Sequence, residues 1–127
     1  MTTTTTKTLK ELHETIINSL KASDRPDGTY DIETMESVSF KKGFQVSFYT
    51  IGMNYTAETY EYICNMFAEH SMDGKTYIGY FDGCPEISFR IADKATARNL
   101  AKQFNQMSIW NWKKCKTINT HGTGRSN

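Results

Sequence analysis

The residues best suited to chemistry lie in the last third of the chain, where basic side chains come close to tryptophans. The candidate binding residues are Lys94, Arg98, Lys102, Trp110, Trp112, Lys113 and Lys114. The first three recur every four residues, which places them on one stripe of a helix. Positive charges beside aromatic rings are what the phosphate and base of a nucleotide would contact. Alternatively, the basic stripe is a solvated helix face, and the tryptophans pack against the sheet or a subunit interface.

The charges of the chain are unevenly distributed. Lys and Arg number 8 against 13 Asp and Glu from Met1 to Ala92, but 7 against 1 from Asp93 to Asn127. A basic C-terminal third of this kind can contact phosphate or an acidic protein. A solvated helix face without any partner would have the same composition.

No set of catalytic or metal-binding residues stands out in the sequence. His13, His70 and His121 include no pair at i, i+4 spacing that would hold a metal on one helix. A GxSxG motif is absent, and HGTG at residues 121–124 has no helix after it to bind a phosphate. Asp82 and Glu86 flank a predicted hairpin and could act as an acid–base pair, although turn formation and an exposed strand end also explain them. No catalytic residue, metal or cofactor is therefore expected.

The cysteines and the apolar residues bear on the cellular location. Cys64, Cys84 and Cys115 lack CxxC spacing, and their odd number leaves at least one thiol unpaired. This predicts a reducing compartment, with Cys64 as a core residue rather than a nucleophile. No stretch approaches the roughly 18 apolar residues of a membrane span, and the N-terminal MTTTTTK lacks the apolar core of a signal peptide. We therefore expect a soluble cytoplasmic protein.

Three helices are predicted from apolar residues at three- and four-residue spacing. The first covers residues 8–21 and has one apolar face to pack on the domain or on another subunit. The second is capped by Thr56 and ends near His70. The third is capped by Asp93 and ends at Asn105-Gln106.

Strands are predicted where apolar and polar residues alternate, within residues 29–40, 44–49, 76–81, 87–92, 107–112 and 115–119. Lys41-Lys42-Gly43 is predicted to be a hairpin turn, and Asp82-Gly83 is a strong hairpin signal. The fold class that follows is α+β: an antiparallel sheet of five or six strands with about three helices, mainly on one face. Residues 8–120 are predicted to form a single domain, after a disordered threonine run at 1–7 and before a flexible tail at 121–127.

Several short motifs occur in order along residues 8–124. They are Gly28-Thr29-Tyr30, Lys42-Gly43-Phe44 with Val46 and Ser47, Tyr77 to Tyr80, and Asn105-Gln106 with Ile109-Trp110. This order resembles that of a family of small proteins encoded by bacteriophages and integrated mobile elements. The chain departs from the family pattern at Ser88 and Asn111, where family members often have acidic residues, so any role of those carboxylates does not carry over.

The resemblance implies a mobile-element origin, and small proteins of that origin often act on host defence or host regulation by binding. We therefore expect a non-enzymatic, homo-oligomeric accessory protein in the cytoplasm of an infected bacterial host. It would bind a host protein, such as a defence component in the manner of an anti-CRISPR inhibitor, or sequester a signalling molecule. The alternative is a nucleotide- or RNA-binding domain that uses the basic and aromatic C-terminal third.

Overall fold

The computed structural model describes residues 7–48, 55–104, 106 and 108–120. Its helices are α1 (Leu9–Lys21), α2 (Ala57–His70) and α3 (Lys94–Gln103). Its strands are β1 (Gly28–Asp31), β2 (Ser37–Val38), β3 (Phe44–Phe48), β4 (Tyr77–Phe81), β5 (Cys84–Ile91), β6 (Ser108–Asn111) and β7 (Lys116–Asn119). The predicted threonine run, apart from Lys7, and the predicted tail lie outside the described residues.

The seven strands form one antiparallel sheet in the order β2-β1-β4-β5-β3-β6-β7. The α+β prediction is confirmed, with seven strands rather than five or six. The additional strand arises because the segment at 29–40 turns back on itself instead of continuing. The Asp31 carboxylate accepts hydrogen bonds from the backbone N–H groups of Glu33 and Thr34, and this turn separates β1 from β2.

The prediction of a hairpin at Lys41-Lys42-Gly43 is wrong. β2 pairs with β1 at one edge of the sheet, whereas β3 lies between β5 and β6. The segment between β2 and β3 therefore crosses the sheet, and Phe40 packs its ring edge-to-face against Tyr77 and Trp112 on the way. The local turn signal was correct for a change of direction but gave no information on which strands pair.

The hairpin predicted at Asp82-Gly83 is confirmed. Phe81 pairs with Cys84, which leaves Asp82 and Gly83 as a two-residue turn with φ of 51° and 75°. Two positive φ angles are what a type I′ hairpin requires, and the Asp-Gly sequence suits it. β6 and β7 form a second hairpin around Lys113 and Lys114.

Each helix begins at a side chain that caps it. Thr8, Thr56 and Asp93 each accept a hydrogen bond from the backbone N–H three residues later. Such caps satisfy one of the backbone donors that the first turn leaves unpaired, and each contributes about 1 kcal/mol. None of the helices in the described part of the chain is long and apolar enough to cross a membrane.

The core lies between the three helices and one face of the sheet. At its centre the rings of Phe48, Phe67 and Phe89 stack on one another, with Phe67 and Phe89 centroids 5.2 Å apart. Ile17 and Leu20 of α1 belong to the same cluster, so the apolar face of α1 packs on its own domain. Alternate residues along each strand point to the opposite face, which we call the helix-free face because none of the described helices covers it.

Candidate anion-binding surface

Three neighbouring strands end or begin at the same level of the sheet. Phe44, the first residue of β3, pairs with Ile91 at the end of β5 and with Asn111 at the end of β6. The chain segments that precede Phe44 and follow Ile91 and Asn111 therefore emerge together at one end of the sheet. Pairing partners in adjacent strands lie about 4.8 Å apart, so these segments are close neighbours.

Lysines populate all of these segments. We define the basic end by the exposed lysines Lys41, Lys42, Lys94, Lys113, Lys114 and Lys116. None of their ammonium groups forms an ion pair with another residue that the structure describes. The sheet topology thus brings a pair of lysines from the middle of the chain to the basic residues of the C-terminal third.

The basic end is held together by backbone hydrogen bonds between its segments. The Trp112 N–H donates to the Gly43 carbonyl at 3.1 Å, so the segment before β3 is joined to the turn after β6. Glycine suits position 43, because its φ of 93° is one that residues with a side chain rarely adopt, and a Cβ atom there would also lie 2.8 Å from the Met72 Sδ. The lysines on either side of this contact are therefore fixed at their backbones, and their side chains reach into solvent.

Arg90 anchors the crossing segment from the side of β5. Its Nε donates to the Lys42 carbonyl at 3.2 Å, and its guanidinium lies 4.1 Å from the centre of the Phe40 ring. One of its terminal nitrogens lies 3.8 Å from an Asp73 oxygen, and the same Asp73 oxygen accepts a 2.7 Å hydrogen bond from the Tyr77 hydroxyl. Arg90 is therefore engaged within the fold and supports the basic end without being free to bind a ligand.

Two acidic groups that adjoin the segments of the basic end have partners of their own. Asp93 precedes Lys94 and accepts hydrogen bonds from both the N–H and the hydroxyl of Thr96, and the backbone bond in particular lowers the pKa of Asp93. Asp73 faces Arg90 and Tyr77. These carboxylates are thus engaged by the helix cap and by Arg90 rather than by the lysines.

The two tryptophans are packed into the fold, unlike the exposed lysines beside them. Trp112 is only 7% exposed, and its indole N–H donates to the Gln45 side-chain oxygen at 3.0 Å. The Gln45 amide nitrogen in turn donates to the Ser88 hydroxyl at 3.0 Å. Trp110 is half-buried on the helix-free face, with its ring edge-to-face against Trp112 at 6.1 Å. These rings are parts of a packed polar and aromatic layer.

The predicted site residues fall into two groups. Lys94, Lys113 and Lys114 come together at the basic end. Lys102 lies two helical turns further along α3, about 12 Å from Lys94 along the helix axis. Arg98 lies between them, half-buried, and its Nε has no hydrogen-bond partner among the described residues. Because α3 lies over the core and Trp110 points to the opposite face of the sheet, the predicted stripe and the tryptophans do not form one surface.

The predicted binding residues did not include Lys41 and Lys42, and Lys116 was recognised only as a basic residue beside the predicted site. The first two were assigned to a hairpin turn, where exposed charge is common and carries no information. The paired lysines beside a glycine were visible as a motif, but only the register of β3 against β6 places them beside Lys113.

A second polar group lies on the helix-free face around Glu86. The Ser47 hydroxyl donates to a Glu86 carboxylate oxygen at 2.9 Å and lies 3.3 Å from the side-chain oxygen of Gln106. Burial raises the pKa of Glu86, and the Ser47 hydrogen bond opposes this effect. Asp82, the other carboxylate of the predicted pair, lies in the exposed β4–β5 turn, where its N–H donates to Asp27. The two carboxylates thus have separate surroundings.

The histidine and the cysteine of the core, His13 and Cys64, are buried among neighbouring side chains. His13 is buried between α1 and α2, and its Nδ1 lies 2.6 Å from the Tyr60 hydroxyl. Burial lowers the pKa of His13 to about 4, so the ring is neutral at physiological pH. Burial raises the pKa of the Cys64 thiol to about 12, which keeps it protonated and unreactive, as expected of a core residue. Within the described ranges, no three His, Cys, Asp or Glu side chains are grouped closely enough to hold a metal ion.

The basic end is thus an exposed cluster of positive charges without ion-pair partners among the described residues, which makes it a candidate contact surface for anions. Comparison of the chain with protein-family models, with curated proteins and with solved structures gives no match.

Proposed function

We propose that this protein is a small, non-enzymatic binding protein of phage or mobile-element type, and that its basic end contacts a negatively charged macromolecule of the host. The observation that carries the proposal is the convergence of six exposed lysines, which have no ion-pair partners among the described residues, at one end of the sheet. Their positive charges would be compensated by the partner.

The fold itself gains nothing from this concentration of charge. Two like charges about 6 Å apart repel by roughly 0.7 kcal/mol in water and by more near a protein surface, where the effective dielectric constant is lower. Exposed lysines spread over the surface would maintain solubility without this cost. A cluster without counter-charges is typical of a surface that attracts an anionic partner and accelerates its association.

The motif order supports a mobile-element origin, and proteins of such origin commonly act by binding host components. The partner is then a component of the host cytoplasm. Nucleotide binding by stacking on the tryptophans is less favoured, because Trp112 would have to leave its hydrogen bond with Gln45 and its packing against Phe40.

Self-association stays a prediction, but through residues other than those considered from the sequence. The apolar face of α1 and Trp112 are packed within the chain, whereas Leu12 on α1 is 46% exposed and Tyr62 on α2 is 70% exposed. These two side chains are the apolar groups of the helices available for contact with a second copy. Light scattering at micromolar concentration tests this, and a strict monomer would contradict it.

The anionic contact is tested by retention on immobilised heparin, used as a general polyanion. In the basic-end variant Lys41, Lys42, Lys113 and Lys114 are changed to Gln; in the matched control Lys7, Lys10, Lys21 and Lys102 are changed to Gln. Both variants lose four positive charges. We expect the basic-end variant to elute at much lower salt than the wild type, and the control to elute close to the wild type. Equal shifts in both variants would show that only net charge matters and would contradict the proposal.

A further inference from the structure

We infer that the partner of the basic end is a nucleic acid, bound through its phosphate backbone and without recognition of its bases. This inference rests on the proposed function and specifies the chemistry of the partner. It is carried by three features of the surface: the lysines lie in a row, the row lacks an exposed apolar centre, and the aromatic rings near it are buried or half-buried.

The lysines follow the end of the sheet from strand to strand. Lys94 follows β5, Lys41 and Lys42 precede β3, Lys113 and Lys114 follow β6, and Lys116 begins β7. These four strands are consecutive neighbours, so three strand spacings give a row of about 14 Å. An extended row of point charges matches an extended polyanion better than it matches a single phosphate group. Duplex DNA offers one negative charge per about 1.7 Å of its axis, so a row of this length can meet several phosphates.

A protein partner would need something that this surface does not provide. Stable protein interfaces have a central cluster of aromatic or apolar side chains, from which most of the binding energy comes. The large apolar side chains that the described residues expose are Leu12, Tyr62 and Phe81. Leu12 and Tyr62 lie on α1 and α2, and Phe81 lies at the far end of β4, beside the turn that leads to β5. The basic end thus offers charge without an apolar centre.

The surroundings of the row also disfavour base recognition by stacking. The Trp112 ring is buried. The half-buried Phe40 ring has the Arg90 guanidinium 4.1 Å from its centre, and the half-buried Trp110 ring packs edge-to-face against Trp112. Arg90 lies against the Lys42 carbonyl, and its guanidinium is engaged by that carbonyl and by Asp73, so bidentate contact with a guanine edge is not available from it. Flexible lysines contact phosphates irrespective of sequence, and binding should therefore depend on salt but not on sequence.

Fluorescence anisotropy with a labelled DNA duplex of about 20 base pairs tests the inference. If about four phosphates are neutralised, the logarithm of the association constant should fall with the logarithm of the salt concentration with a slope near −3.6. Affinity should therefore fall roughly 10²-fold between about 50 and 200 mM salt. Scrambling the duplex sequence should change the affinity less than about 3-fold, whereas each specific base contact is worth about fivefold or more.

The same two variants and two further ligands complete the experiment. We expect the basic-end variant to lose most of the salt slope and the control variant to retain it. Single-stranded RNA of the same length should bind with a shallower slope, because its lower charge density releases fewer ions per phosphate. An acidic polyglutamate peptide should compete only weakly.

The outcomes separate the two proposals. If polyglutamate binds through the basic end and neither DNA nor RNA does, the nucleic-acid inference is overturned and the proposed function stands. If the basic-end and control variants behave alike with every polyanion, both are overturned. A tenfold preference for one duplex sequence would overturn backbone-only binding.

Discussion

The basic end and the helix-free face are both rich in polar residues and adjoin each other in the chain, but they differ in how their polar groups are partnered. On the helix-free face, Gln45 uses its oxygen to accept from Trp112 and its nitrogen to donate to Ser88. At the basic end, Lys113 and Lys114 follow Trp112 directly and have no ion-pair partner among the described residues. Residue type alone did not distinguish the two regions; the presence or absence of intramolecular partners does.

This difference assigns separate roles to adjacent residues. A buried polar group must be hydrogen-bonded, and removing its partner costs about 1–3 kcal/mol, so the groups of the helix-free face maintain the fold. An exposed lysine contributes little to stability, so the lysines of the basic end are free to serve binding. We therefore expect substitutions in the two regions to change different measured quantities.

The largest expected effect on stability is that of Trp112→Ala. Removing a buried tryptophan leaves a cavity beside Phe40 and removes the donor to Gln45, so the free energy of unfolding should fall by about 3–5 kcal/mol. Urea denaturation followed by circular dichroism measures this loss. The adjacent Lys113→Ala is the control and should change stability by less than about 0.5 kcal/mol. Comparable losses in the two variants would remove the distinction between the regions.

A smaller effect should come from acid, through the buried His13. Its pKa is about 4 in the folded protein and about 6.5 in the unfolded chain, so the unfolded state binds a proton first as the pH falls. The stability due to neutral His13 is complete above pH 6.5 and is lost progressively toward pH 4. Between about pH 7 and 5 the free energy of unfolding should fall by about 2 kcal/mol, as measured by urea denaturation at each pH.

A histidine outside the core provides the control for this pH dependence. His70 is exposed at the end of α2, so His70→Gln should leave the acid loss unchanged. His13→Gln keeps a group that can hydrogen-bond with the Tyr60 hydroxyl but cannot be protonated in this range, so the loss should disappear. If the wild type and His13→Gln show the same loss of stability, His13 is not its source.

The smallest expected effect is that of the basic-end variant on folding. Replacing Lys41, Lys42, Lys113 and Lys114 by Gln relieves repulsion between like charges and breaks no described ion pair. The free energy of unfolding should stay within about 1 kcal/mol of the wild type or rise slightly. Thermal unfolding of this variant and of the wild type measures the difference. A large destabilisation would mean that the lysines have a role in the fold.

Features specified locally could be predicted from the sequence. The caps Thr56 and Asp93 mark their helices because a capping side chain acts within three residues, and Asp82-Gly83 marks its hairpin because the turn needs positive φ at both positions. Lys94, Lys113 and Lys114 could be chosen as candidate binding residues because they lie in the basic C-terminal third of the chain.

Features specified by long-range pairing could not be predicted. Lys41-Lys42-Gly43 looks like a hairpin turn, but the hydrophobic alternation on either side fits several partner strands equally well. The pairing of β3 with β5 and β6 was therefore missed, and with it the approach of Lys42 to Lys113. Likewise, nothing in the sequence shows that Gln45 accepts from Trp112, 67 residues away.

Backbone amide chemical shifts recorded during titration with the duplex of about 20 base pairs test most directly whether the basic end is the contact surface. We expect the changes to concentrate at residues 41–43, 94–95 and 113–116, and to fade as salt rises. The amide of Gln45 and the indole N–H of Trp112 should retain their hydrogen-bonded shifts. Changes centred on α1 and α2, around Leu12 and Tyr62, with the basic end unaffected, would contradict this assignment.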